Sequence, residues 1–129
     1  MLEKGLTGKA ETVVTSDNTA KTFGSGTLDV FATPAMIALM EETCWKTVQP
    51  ELDEGCGTVG TQVNIAHSAP SAIGNHIKCE ASLIEVDGRR LVFEVECRDD
   101  NGIIGKGTHE RFIINNEKFI AKAESRVNK

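Results

Sequence analysis

Three side chains in this sequence carry groups that can activate a nucleophile or a water molecule: the hydroxyl of Thr33, the carboxylate of Glu41 and the imidazole of His67. A hydroxyl or water attacks a carbonyl when a nearby base takes its proton, and a third group commonly orients that base. Each of the three also has an ordinary reading. Thr33 precedes Pro34 at the start of a helical pattern, so an N-cap role explains it without chemistry. Glu41 falls in an apolar stripe formed by Ile37, Met40, Cys44 and Val48. A carboxylate there costs several kcal/mol unless it is bonded, protonated or able to reach water from the edge of the stripe. Its neighbour Glu42 points away and has Lys46 four residues on as a surface partner. His67 ends an alternating row, and a single inward histidine is more often a satisfied core residue than a catalyst.

These residues must be positioned by a helix and a sheet. The spacing predicts a helix from Pro34 to about Val48, stopped before Pro50. After a loop over Glu51 to Gly57 the pattern changes to alternation, with Val59, Thr61, Val63, Ile65 and His67 on one face. Further strands are expected over His76 to Val86, Arg89 to Arg98 and Ile103 to Ile114, joined by turns at Asp87-Gly88 and at Asp99 to Gly102. Ahead of the helix come a short β-like stretch, Glu11 to Thr15, and a polar, glycine-bearing loop, Ser16 to Gly26. The tail from Asn115 is polar and compatible with a helix. One long helix followed by antiparallel strands gives an α+β domain in which a single helix covers one curved sheet, the hot-dog arrangement.

At 129 residues with 40% hydrophobic side chains, the chain fits one domain over 1–129 with one core. Residues 1–10 and 121–129 are expected to be less ordered tails. A net charge of -5 and the lack of a basic run argue against nucleic-acid binding. No segment approaches the ~20 apolar residues of a membrane span, and the amino end does not read as a signal peptide. The four cysteines lack paired spacing, which indicates free thiols in a reducing cytoplasm. His76 and Cys79 are too isolated a pair to make a metal site, so no metal is expected.

The run from Phe31 to Glu41, the stretch from Gly60-Thr61 through His67, and the run Gly105-Lys106-Gly107-Thr108-His109-Glu110-Arg111 resemble the fluoroacetyl-CoA-specific thioesterase family of hot-dog proteins. The likeness extends over roughly residues 25 to 120. By that resemblance Thr33, Glu41 and His67 match catalytic positions, and Gly60 and Arg111 match positions that contact the acyl-CoA substrate. The family's aromatic lid ahead of the helix has one aromatic counterpart here, Phe23, between Lys21 and Val30. The resemblance therefore implies hydrolysis of a small or short-chain acyl-CoA, with coenzyme A as part of the substrate and no cofactor. It also implies a homodimer or higher homo-oligomer with the site at the subunit interface. In that chemistry His67 is base, or acid to the leaving thiolate; Thr33 is nucleophile or carbonyl-polarising hydroxyl; Glu41 orients His67 or activates water. The competing reading from another class is a non-catalytic acyl-CoA-binding or sensing domain. A hydratase, the other hot-dog activity considered, lacks its Asp and His pair here.

Overall fold

The structure is a computed structural model that describes residues 2–127. Its elements run β1 (Thr7–Val13), α1 (Ala20–Phe23), α2 (Thr33–Val48), β2 (Cys56–His67), β3 (His76–Asp87), β4 (Arg90–Asp99), β5 (Gly102–Asn115) and α3 (Asn116–Ser125), with a 3₁₀ turn at Gln49–Glu51 after α2. The strands form one antiparallel sheet in the order β1-β3-β4-β5-β2. Two tight turns align its centre. Gly88, at φ 61°, opens the turn between β3 and β4, where the mirror-image backbone of a two-residue hairpin suits glycine. Gly102, at φ 136°, closes the turn between β4 and β5.

Alternation works as expected in the middle of the sheet. Ile77, Cys79, Ala81 and Leu83 of β3 and Leu91, Phe93, Val95 and Cys97 of β4 are buried. They meet Met36, Met40, Cys44 and Val48 of α2 in one core. Each large apolar side chain so buried contributes roughly 1.5–3 kcal/mol. The hot-dog arrangement, one long helix against a curved antiparallel sheet, is the fold observed.

Three local expectations are corrected. The N-cap of α2 is Ala32, in extended conformation and without a side-chain cap bond, so Thr33 is already inside the helix. The segment 16–26 is not wholly loop: Thr19 and Gly24 cap the short α1. The amino-terminal tail is shorter than expected, because Thr7–Ala10 pair with β3 in β1, and α3 extends through 121–125. The outermost parts of the expected tails, Met1 and residues 128–129, lie outside the described residues.

The most consequential departure is in β2. Its register against β5 shifts between Gly60 and Gln62, so Thr61 is an extra residue in the ladder. A bulge of this kind reverses which side chains face the core. Val63, Ile65 and His67 keep the expected inward face, but upstream of the bulge it is Gly60 and Thr58, not Thr61 and Val59, that share the face of Arg111 and Ile113. β2 is also an edge of the sheet, bonded to β5 on one side.

Candidate active site

His67 ends β2 beside the first turn of α2, and its Nδ1 lies 2.7 Å from Thr33 Oγ1. Thr33 can make this contact because it is not the cap: its hydroxyl is turned from the helix amides to the imidazole. Burial lowers the His67 pKa below its ordinary value, with the nearby Ala69 backbone pulling the other way. A neutral ring accepts the threonine proton at Nδ1 and carries its own at Nε2, which is buried and has no well-formed hydrogen bond among the described residues. A cavity of about 310 Å³ opens at the pair, with Val30, Phe31, Ala69 and Pro70 among its walls. Phe23 is not at this mouth; it lies over a separate groove with Thr12, Asn18 and Ala38. A larger groove, about 720 Å³, among Glu80, Glu94, Glu96 and Lys106, has no imidazole to activate its hydroxyls.

Glu41 lies at the edge of the buried stripe of α2, its side chain 40% exposed, and it has bonded partners. Arg111 Nη1 donates to Glu41 Oε2 at 3.3 Å and to His109 Nε2 at 3.1 Å. The rest of the guanidinium is held by Thr58, with Nε donating to Oγ1 at 2.8 Å and Nη2 to the carbonyl at 3.0 Å. Arg111 is thus turned into the protein and buried. Burial lowers its pKa while Glu41 opposes the shift, and a guanidinium stays charged throughout. Gly60 completes the cluster: a Cβ there would stand 2.6 Å from Glu41 Oε2, 3.2 Å from His109 Cε1 and 3.3 Å from Arg111 Nη1. Only a residue without a side chain leaves the carboxylate in place. Glu42 makes the expected solvent pair with Lys46, at 3.1 Å.

The five expected residues therefore form two groups. Thr33 meets His67; Glu41, Gly60 and Arg111 meet one another. Eight residues of helix separate Thr33 from Glu41, about 12 Å at 1.5 Å per residue. Within one chain Glu41 is bonded to Arg111 and not to His67. Thr58 and His109 were not singled out from the sequence as site residues. His109 could have been, because it sits two residues before Arg111 and so shares its face. The glycine inside the β2 pattern was the available signal for the bulge that brings Thr58 to Arg111. His76 and Cys79, three apart on β3, face opposite sides of the sheet, and among the described residues no His, Cys, Asp and Glu cluster suited to a metal occurs.

Comparison with known proteins matches residues 14–117 to the family described as fluoroacetyl-CoA-specific thioesterase. The fluoroacetyl-CoA thioesterase of Streptantibioticus cattleyicolor is 41% identical over 99 residues, covering 77% of this chain and 71% of that one. A solved structure of the fluoroacetyl-CoA thioesterase FlK superposes with a TM-score of 0.92 at 34% identity, covering 97% of each chain. A thioesterase superfamily member from Thermus thermophilus superposes with a TM-score of 0.89 at 29% identity, over 98% of this chain and 93% of that one.

Proposed function

The chain belongs to the fluoroacetyl-CoA-specific thioesterase family, and from that premise we propose that it hydrolyses a small or short-chain acyl-CoA to the free acid and coenzyme A through Thr33, His67 and Glu41. The observation that carries the reading is the 2.7 Å contact between Thr33 Oγ1 and His67 Nδ1 at the wall of a cavity. Neutral His67 takes the hydroxyl proton as Oγ1 attacks the thioester carbonyl, then returns it to the departing thiolate. In the first turn of α2 Pro34 has no amide hydrogen and Met36 N–H donates to the Ala32 carbonyl, which leaves the Thr33 and Ala35 amides without intrahelical acceptors; with the helix dipole they favour the negative oxygen that forms. Glu41 directs the water that attacks the acyl-threonine; neutral His67 takes that water's proton and gives it to Oγ1 as the ester bond breaks and the free acid leaves. Arg111 fixes that carboxylate through Nη1, and with Gly60 beside it is the proposed substrate contact at this half of the site. Hydrolysis on this reading draws on side chains and water, with coenzyme A part of the substrate.

The two groups become one site in a homodimer built through the free edge of β2. That edge exposes Val63, 42% accessible, and unpaired backbone groups that favour addition of another strand. In a two-fold antiparallel pairing centred on Asn64, Val63 stands opposite the partner's Ile65 and, with Thr61 as the extra residue of the bulge, His67 of one subunit stands opposite Gly60 of the other. Thr33 and His67 then face the partner's carboxylate, and the gap of about 12 Å along the helix no longer separates them. Phe23, the aromatic residue ahead of the helix, lines a separate groove and not this cavity, so the proposal is a small or short-chain acyl group, with no fluorinated one assigned. Cytoplasmic residence fits four free thiols, three of them buried; burial raises the Cys44 pKa to about 12, which leaves that thiol inert. A purely acyl-CoA-binding domain has no use for a hydroxyl bonded to a lowered-pKa imidazole.

The test is hydrolysis of a panel of short acyl-CoAs by the purified protein, followed by complementation. His67→Ala and Glu41→Gln chains, each inactive alone, are unfolded, mixed in equal amounts and refolded together. Random pairing restores about a quarter of wild-type activity if each site takes His67 from one subunit and Glu41 from the other. No hydrolysis by the wild type refutes the enzyme; no recovery on mixing refutes the shared site.

A further inference from the structure

His109 is the most buried charge-capable side chain near the site, 1% exposed, and the chemistry proposed above does not use it. Both ring nitrogens are bonded. Nδ1–H donates to the carbonyl of Gln62 at 2.8 Å, and Nε2 accepts from Arg111 Nη1 at 3.1 Å. The tautomer follows from these partners, because a carbonyl can only accept and a guanidinium can only donate. The ring stacks on Phe93, with centroids 6.5 Å apart and planes inclined by 29°, so it is held in orientation as well.

The partners of His109 are the two features that shape the Glu41 half of the site. Gln62 is the residue at which the β2 register resumes after the bulge, and that bulge turns Gly60 inward. Arg111 holds Glu41. A protonated ring would bring a second cation to 3.1 Å from the guanidinium and present Nε2–H to Glu41 Oε2, 3.9 Å away. An apolar residue would fill the space but leave one Arg111 hydrogen and the Gln62 carbonyl without their partner.

We infer that His109 is a positioning residue for the hydrolysis: by accepting from Arg111 Nη1 and donating to Gln62, it sets the guanidinium that holds the Glu41 carboxylate against Gly60. The inference rests on the thioesterase reading of Glu41. It assigns the two ring nitrogens separate tasks, which two near-isosteric amides divide. His109→Asn keeps a donor near the Nδ1 position and loses the acceptor for Arg111. His109→Gln keeps an amide oxygen that can reach Arg111 from the Nε2 position.

The experiment measures kcat, KM and the melting temperature of both variants beside Glu41→Gln on one accepted acyl-CoA, together with the ¹⁵N spectrum of labelled histidines in the wild type. His109→Asn should lose about tenfold in kcat, with KM within about twofold and melting lowered no further than in His109→Gln, the loss in turnover expected for one charge-assisted hydrogen bond. His109→Gln should recover most of that loss. The wild-type spectrum should show a neutral His109 protonated at Nδ1 at pH 7. An undiminished kcat in His109→Asn overturns the inference, as do parallel losses in both variants that track melting, or a ring protonated at Nε2. If Glu41→Gln is itself fully active, the assignment of Glu41 fails first; if Glu41→Gln is impaired and His109→Asn is not, only the role of His109 fails.

Discussion

Gly60→Ala is the sharpest test of the Glu41 cluster, because its effect can be worked out from the distances. The added Cβ stands 2.6 Å from Glu41 Oε2, whereas ordinary contact begins near 3.4 Å, so the carboxylate must retreat by about 0.8 Å. The Arg111 Nη1 to Oε2 hydrogen bond is already 3.3 Å, and a retreat of that size away from the guanidinium breaks it. The atom that yields is the free end of a partly exposed side chain, so the fold should lose no more than about 1 kcal/mol. Catalysis should suffer more: misplacement of a reacting group by about 1 Å costs up to ~10²-fold, and we expect kcat to fall by about 10–100-fold. A second substitution makes the reasoning specific. Glu41→Asp withdraws the carboxylate by about one methylene and makes room for the new methyl. The double variant Gly60→Ala/Glu41→Asp should therefore be less impaired than the product of the two single losses, the non-additivity expected of residues in contact. Steady-state kinetics of the four proteins on one accepted acyl-CoA, with thermal melts alongside, complete the cycle. Wild-type kcat in Gly60→Ala, or losses that simply multiply, would refute the steric account.

His67→Ala should lower kcat by ~10²-fold or more without unfolding the protein, as loss of a general base does; an active, folded variant removes His67 from the mechanism. Glu41→Gln should impair turnover and Glu42→Gln should leave it unchanged, since Glu42 belongs to an exposed pair with Lys46; equal kinetic effects would contradict the helix face assigned here. Arg111→Lys should lower kcat/KM by about tenfold or more and depress melting, because one ammonium cannot replace a fork that bonds Thr58, Glu41 and His109 together; a change within about twofold would make Arg111 a bystander. Burial holds both His67 and His109 below the ordinary histidine value of 6.5 in the folded protein, so the unfolded chain takes up protons first as pH falls. Their contribution to stability is present above pH 6.5 and is lost as pH falls through the lower folded values, and melts from pH 7.5 to 5 should show that slope. A melting temperature that rises on acidification through this window would contradict it.

Periodicity was enough to place α2 and the three strands β3, β4 and β5, because their apolar residues lie on one face and glycines mark the turns between them. It failed where a tertiary partner outweighed the local rule. Thr33 has the composition of a cap, but His67 comes from 34 residues away in sequence to claim the hydroxyl. Local pattern carries no information about such a partner. β2 misled for a different reason: one extra residue at Thr61 changes the phase of an alternating row, and the row Val59-Thr61-Val63 looks equally regular with or without it. Gly60 was identified by family likeness, while its physical reason, a carboxylate where a Cβ would be, exists only in three dimensions. Glu41 was readable as an unusual carboxylate on α2, but its partner Arg111 is 70 residues away in the chain.

Two spacings govern what this fold can do. On α2 the hydroxyl and the carboxylate are eight residues apart, and on β2 the imidazole and the glycine are seven apart, so α2 delivers one polar group to each end, and β2 an imidazole to one end and room for the carboxylate at the other. A thioester carbonyl and its attacking atom must lie within about 3–3.5 Å of each other, far less than the ~12 Å along the helix. One chain therefore holds two complementary halves. In the proposed homodimer, a two-fold axis through the middle of β2 would exchange the ends of both elements at once, set each imidazole half against a carboxylate half and generate two equivalent sites. It would also cover the free strand edge and remove water from Glu41, which the single chain leaves 40% exposed. Less water at that carboxylate strengthens its bond to Arg111, so association and the ordering of the catalytic groups would be the same event.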